Sequence, residues 1–164
     1  MGMAIAWGGL LCGVLDIAYA FIVFGMAFHL RPERLLQGIA AGLLGRSAIQ
    51  GGLATAVLGL LLHFVISFAA ASIYCLASRK LQWMLSRTAL SGALFGAAVY
   101  FFMNFVVIPL SAIGMRPINP KWLVINLIEH MLLVGPPIAL AAHRFLKPTD
   151  ASALGARLHA AQSV

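Results

Sequence analysis

Five polar side chains lie deep inside the long apolar stretches of this chain: Asp16, His63, Asn104, Glu129 and His130. Imidazoles and carboxylates are the groups that transfer protons near neutral pH and ligate metal ions. Hydrocarbon makes each of them costly to bury, so each needs a partner or a task. At ~1.5 Å per helical residue, His63 lies ~15 Å in from Leu53, and Glu129 and His130 ~10–12 Å in from Trp122. On the same measure Asn104 is ~12 Å from Ala112 and Asp16 ~18 Å from Phe28, so the five are expected in one layer. His63 and His130 come from different stretches, the arrangement two imidazoles need to clamp a haem iron or a metal ion. Glu129, His63 and Asp16 could instead handle protons or ions. A structural alternative is that the layer holds helices together, through contacts of ~0.6–2 kcal/mol each. Glu129 and His130 are neighbours, ~100° apart on a helix, so the spacing predicts that they do not both face one partner.

The elements that must position these groups are apolar spans. Of the 164 residues, 62% are hydrophobic and 9% charged, with a mean hydropathy of +0.99. A soluble domain carries roughly 25% charged residues, so the composition describes an integral membrane protein in a lipid bilayer. Spans are expected at about 5–28, 53–77, 88–113 and 122–142, each long enough to cross ~30 Å of hydrocarbon. The expectation is an all-α, four-helix transmembrane bundle, with 1–147 a single domain and 148–164 a loose or interfacial tail. Between the first two spans, Leu35, Leu36, Ile39, Leu43 and Leu44 recur at helical spacing after Pro32, with Arg34, Gln37 and Arg46 interrupting. This segment, about 32–49, reads as an interfacial amphipathic helix, or alternatively a re-entrant one.

The small residues predict helix contacts. Gly9 and Gly13, Gly38 and Gly42, and Gly92 and Gly96 are pairs four apart that permit close backbone approach. Gly59, His63, Ser67 and Ala71 fall on a single stripe, expected to face another helix. Pro109 in the third span should free the carbonyl of Phe105, beside Asn104. Pro136 and Pro137 in the fourth should free those of Leu132 and Leu133, just beyond His130. Broken helices near polar residues recur at transporter sites. Cys12 and Cys75 have no metal or redox spacing and read as small buried hydrophobes.

The net charge of +7 is not a nucleic-acid signature here, because the basic residues cluster at span ends without interleaved aromatics. That pattern suits anionic headgroups. One side carries Arg79, Lys80, Arg87, Arg144, Lys147 and Arg157, the other Arg31, Arg34, Arg46, Arg116 and Lys121. The small excess favours cytoplasmic N- and C-termini. Residues 1–6 lack a basic leader region, so the first span is expected to be retained. There is no HExxH, GxSxG, Walker or dinucleotide-binding motif, and the expectation is a non-enzyme.

From His63 onward the chain resembles the YagU family of small bacterial inner-membrane proteins. The resemblance is carried by His63-Phe64, Phe68 and Tyr74-Cys75, then Gly92 with Gly96, the Pro109-Leu110 end of the third span, and Trp122 followed by Glu129-His130. It implies a four-helix inner-membrane fold and a link to acid resistance, and carries over His63 and His130 as functional positions. Asp16 is outside it. Taken together, the expectation is a non-enzymatic protein of the bacterial inner membrane, as a homo-oligomer or a small subunit of a larger complex. The alternatives are a proton- or ion-handling protein using Glu129, His63 and Asp16, and a haem b or metal carrier using His63 and His130. No cofactor is expected under the first two.

Overall fold

The computed structural model describes residues 1–115, 117 and 119–147. The expected tail at 148–164 lies outside the described residues, as do Arg116 and Arg157. The chain forms α1 (Gly2–Phe28), α2 (Pro32–Leu44), a 3₁₀ segment (Gly45–Gln50), α3 (Gly52–Lys80), the short α4 (Trp83–Ser86), α5 (Thr88–Leu110) and α6 (Pro120–Leu146). Helices α1, α3, α5 and α6 are long and apolar enough to cross a membrane, and no strand occurs among the described residues. The fold is therefore an all-α membrane bundle with an additional helix between its first two spans.

Local chemistry sets the helix ends. His29 closes α1 in the left-handed conformation (φ 52°), its N–H donating to the Phe24 carbonyl. Pro32 opens α2 at a position whose N–H has no intrahelical partner, and Glu33 meets the positive end of the helix dipole. Gly52, the first residue of α3, has φ +60°, a conformation that favours glycine. Asn119 caps α6, its side-chain oxygen accepting from the Lys121 N–H at 3.0 Å, with Pro120 next. Helix α3 runs three residues past the expected 77, because Arg79 and Lys80 suit a helix C-terminus. Helix α5 stops at Leu110, short of the expected 113. Ser111 turns extended there, and the Ala112 N–H donates to the Gly42 carbonyl of α2 at 2.9 Å.

Helix α1 packs between α3 and α6, α5 packs on α6, and α2 packs on α3. Call the end that carries the N-terminus of α1 the inner end. The core there is made of small side chains around Tyr74 and Ile138, including Ala4, Ala71, Cys75, Ala139 and Ala142. Small residues let backbones approach closely, which membrane helices need because lipid offers no hydrophobic drive to associate. The inner turn is latched by polar bonds. Tyr74 and Ser91 share a 2.7 Å hydrogen bond, Ser91 donates to the Met84 carbonyl at 2.8 Å, and His143 Nδ1 donates to the Leu85 carbonyl at 2.7 Å. Large apolar side chains such as Leu61, Val65, Leu94 and Leu140 face outward, where hydrocarbon would surround them.

The expected contacts at Gly9, Gly13, Gly92 and Gly96 are internal, whereas a Cβ on Gly38 would meet nothing within 4 Å and one on Gly42 only Ser111 at 3.9 Å. A Cβ on Gly9 would enter the Phe68 ring, and one on Gly13 would lie 2.7 Å from Phe64. On Gly92 it would lie 2.9 Å from the Pro136 Cα, and on Gly96 2.7 Å from the His130 carbonyl carbon. Gly59, two turns into α3, meets the α2 backbone, where a Cβ would lie 2.7 Å from the Leu36 carbonyl carbon. That contact draws α2 against the flank of α3 instead of leaving it over the helix end. Gln37 adds a 3.0 Å bond from its side-chain amide to the Gly52 carbonyl, and Arg34 a 2.6 Å bond to the Ile49 carbonyl. Ala40, Ala41 and Ala48 form a second small core there.

Two π-helical turns interrupt the spans, at Met103–Val107 in α5 and His130–Val134 in α6. In each, an N–H five residues on bonds back, from Ile108 to Met103 and from Gly135 to His130. Pro109 follows the first turn and Pro136 the second. A proline ring displaces the carbonyl four residues before it and offers no N–H. The added residue of a π turn absorbs that mismatch without ending the helix.

Candidate functional site

Asp16, His63, Asn104, Glu129 and His130 all line one cavity of about 340 Å³. Each arrives there from a different local cause. Asp16 lies on the face of α1 that turns toward α3 and α6, one turn beyond Cys12, which lines the same wall. His63 stands on the small-residue stripe of α3, with Gly59, Ser67 and Ala71 buried alongside it. Glu129 and His130 sit where α6 enters its π turn. Leu35 and Ile39 of α2 complete the wall.

The hydrogens on both imidazoles can be placed from their partners. His63, 8% exposed, has Nε2 2.8 Å from the Gly13 carbonyl oxygen. A carbonyl only accepts, so Nε2 carries a hydrogen and ties α3 to α1. Its other nitrogen, Nδ1, faces the Asp16 carboxylate at 3.9 Å, beyond hydrogen-bond reach. His130 Nδ1 lies 3.0 Å from the Asn126 carbonyl oxygen, so it too donates there. The same nitrogen meets a carboxylate oxygen of Glu129, Oε2. The Tyr100 ring stands edge-on to the His130 ring, centroids 5.1 Å apart.

Asp16, Glu129 and His130 form the chemical centre: one ligand-type atom from each lies within 4.8 Å of the other two. Glu129 is 4% exposed, and its Oε1 has no hydrogen-bond partner among the described residues. Asn126 Oδ1, one turn earlier on α6, is likewise buried and unpartnered. Neighbouring residues were expected to diverge by ~100°. Instead the Glu129 carboxylate folds back onto the His130 ring at the mouth of the π turn, and both groups meet Asp16. The Asp16 side chain is 27% exposed, so the centre is reachable from the cavity.

The expected pairing of His63 with His130 as two iron or metal ligands is not the grouping found. His130 joins the two carboxylates, whereas His63 commits Nε2 to the α1 backbone and stands outside that cluster. Asn104 lines the cavity, but its amide donates to the Tyr100 carbonyl at 2.9 Å, within its own helix. Sequence reasoning missed Asn126 and Tyr100 on the wall and read Cys12 and Ser67 only as packing. Asn126 had a signal, since it precedes Glu129 and His130 by three and four residues and so shares their face. Tyr100 had none apart from its place one turn before Asn104.

A second cavity of about 530 Å³ adjoins the first. Phe24, Leu35, Ile39 and Met103 line both, and its remaining wall is mainly apolar, with Arg34 and Ser111 the polar additions. Comparison with family models, curated proteins and solved structures gave no match to this chain.

Proposed function

We propose that this chain is a non-enzymatic cation-handling protein of the bacterial inner membrane, taking protons or metal cations into the cavity and holding them at Asp16, Glu129 and His130. The observation that carries this reading is the buried Glu129 oxygen with no partner, set among an aspartate and an imidazole. Two carboxylates in hydrocarbon need positive charge nearby. No lysine or arginine lines the cavity among the described residues, so a mobile cation is the natural counter-charge. The resemblance to YagU proteins, and its link to acid resistance, supports the inner-membrane placement. The small excess of basic residues on one side, Arg79, Lys80, Arg87, Arg144, Lys147 and Arg157 against Arg31, Arg34, Arg46, Arg116 and Lys121, supports cytoplasmic termini.

A homo-oligomer or a small subunit of a complex was the expectation drawn from glycine faces. It has less to rest on, since Gly9, Gly13, Gly92 and Gly96 meet helices of the same chain. A haem clamp likewise has less support with His63 Nε2 bonded to the Gly13 carbonyl.

The test is cation flux in proteoliposomes, followed with a trapped pH dye and with divalent-ion indicators. Glu129→Gln and Asp16→Asn should each lower the flux at least tenfold, with protein still eluting as the wild type does. Flux unchanged in both variants would overturn the reading.

A further inference from the structure

Resting on the reading of Asp16 and Glu129 as a cation site, we propose that the two joined cavities bind an amphipathic primary amine. Its ammonium head lies beside Asp16 and its apolar chain in the second cavity. The walls pass from polar to apolar along single helix faces. On α1, Asp16, Ala20 and Phe24 follow one another at four-residue spacing, and on α3 Ile66 stands three residues beyond His63. Ala20, Phe24 and Ile66 line both cavities, so the polar chamber continues into the apolar one. Leu30 and Leu43, both exposed, line the second cavity and open its rim toward hydrocarbon. Each volume falls in the ~300–1,000 Å³ range of small-molecule pockets, which are mainly apolar with a few convergent polar groups.

The acceptors gathered around Asp16 select the head. The partly exposed Asp16 carboxylate faces His63 Nδ1 at 3.9 Å, and that nitrogen keeps its lone pair in the neutral ring because Nε2 carries the hydrogen. Two acceptors at that separation suit two N–H groups of one ammonium, which has three donors and no acceptor. Glu129 Oε1 and Asn126 Oδ1, buried and unpartnered on the α6 wall, add acceptor capacity behind them. One carboxylate oxygen of Glu129 lies within 4.8 Å of one of Asp16. Two negative charges so close offset the cost of taking an ammonium out of water. An alkylammonium, like that of lysine, stays charged at neutral pH. Arg34, on the wall of the second cavity, bonds the Ile49 carbonyl at 2.6 Å and repels a cation held there. The head is therefore favoured at the carboxylates and the chain toward the rim.

The experiment is isothermal titration calorimetry on the full-length protein in lipid nanodiscs, with the heats from empty nanodiscs subtracted. Decylamine is expected to bind at one site per chain. It should bind at least tenfold tighter than ethylamine, which lacks the long chain, and than decanol, which lacks the charge. Asp16→Asn should weaken decylamine binding at least tenfold, and Ile39→Trp, at the junction of the cavities, should erase most of the advantage over ethylamine. Decanol binding as tightly as decylamine, decylamine binding unchanged in Asp16→Asn, or a chain-length advantage unchanged in Ile39→Trp each overturns the proposal. So does decyl sulfate binding more tightly than decylamine and losing affinity in Arg34→Gln, the mark of an anionic-lipid site. The head-group and chain-length comparisons use the wild type alone, so a variant that fails to fold leaves them decisive. If decylamine does not bind yet Glu129→Gln abolishes the flux of protons or metal ions, the amine assignment alone falls. If neither binding nor flux is seen, the cation-handling reading falls with it.

Discussion

Glu129, His130 and His63 show how much a hydrogen's position decides. Both imidazoles face a backbone carbonyl through one nitrogen, but the other nitrogens have different surroundings. That of His130 belongs to a ring clustered with two carboxylates, whereas that of His63 faces Asp16 across 3.9 Å. His63 therefore acts first as a tie between α3 and α1. Replacing it with alanine should cost ~0.6–2 kcal/mol, the worth of an interhelical polar contact in a membrane. Detergent-induced unfolding, followed by loss of helical signal, measures this. Asn104→Ala should cost less than ~1 kcal/mol in the same assay, because its amide bonds only its own helix. Flux is the opposite case: Glu129→Gln should abolish it with little change in unfolding, since the amide keeps the shape and removes the charge. The polar residues themselves were visible in the sequence, since an ionisable group in an apolar span stands out. Their roles were not, because a side chain's partner depends on helix rotation to within a fraction of a turn.

At the scale of the element, the π turns and the close glycine contacts set where the site groups point. Gly96 lies against the carbonyl of His130, the first residue of the π turn in α6, and the Cβ of an alanine there would lie 3.1 Å from the Met131 Cα as well. The obstacle is backbone, which cannot swing aside as a flexible side chain can. Gly96→Ala should therefore separate α5 from α6 and destabilise the protein by ~1–3 kcal/mol, the usual range for overpacking. Because His130 moves with that backbone, flux should fall in the same variant, whereas a substitution at the open Gly38 should change neither. Thermal unfolding and the flux assay read the two effects separately. The prolines marked these regions in the sequence, but as kinks. That a π turn would take up the mismatch was not legible, because proline constrains φ and removes a donor without specifying which neighbouring bond shifts.

For the whole molecule, four spans place both ends of the described chain on one side and the α2 segment on the other. Single cysteines at the exposed Ser47 and Ser86, in a chain lacking Cys12 and Cys75, should react with a membrane-impermeant maleimide from opposite sides. Labelling of Ser47→Cys alone in intact cells is expected if the termini are cytoplasmic, and labelling of Ser86→Cys alone would reverse the orientation. The sequence by itself determined that the chain is helical, that it enters a membrane four times, and roughly how deep its polar residues lie. Those properties follow from the length and apolarity of each span, since hydrocarbon forces every backbone group into a helix and ~1.5 Å of rise per residue fixes depth. Only the tertiary structure decided that α1 lies between α3 and α6, that α2 packs on the flank of α3, and that Asp16 meets Glu129 and His130 while His63 turns to Gly13. Apolar spans carry little directional information about their neighbours, because lipid and protein interior are equally apolar. The choice of partners is made by backbone fit at Gly59 and Gly96 and by the Phe64 ring against Gly13, which exist only once the helices have come together.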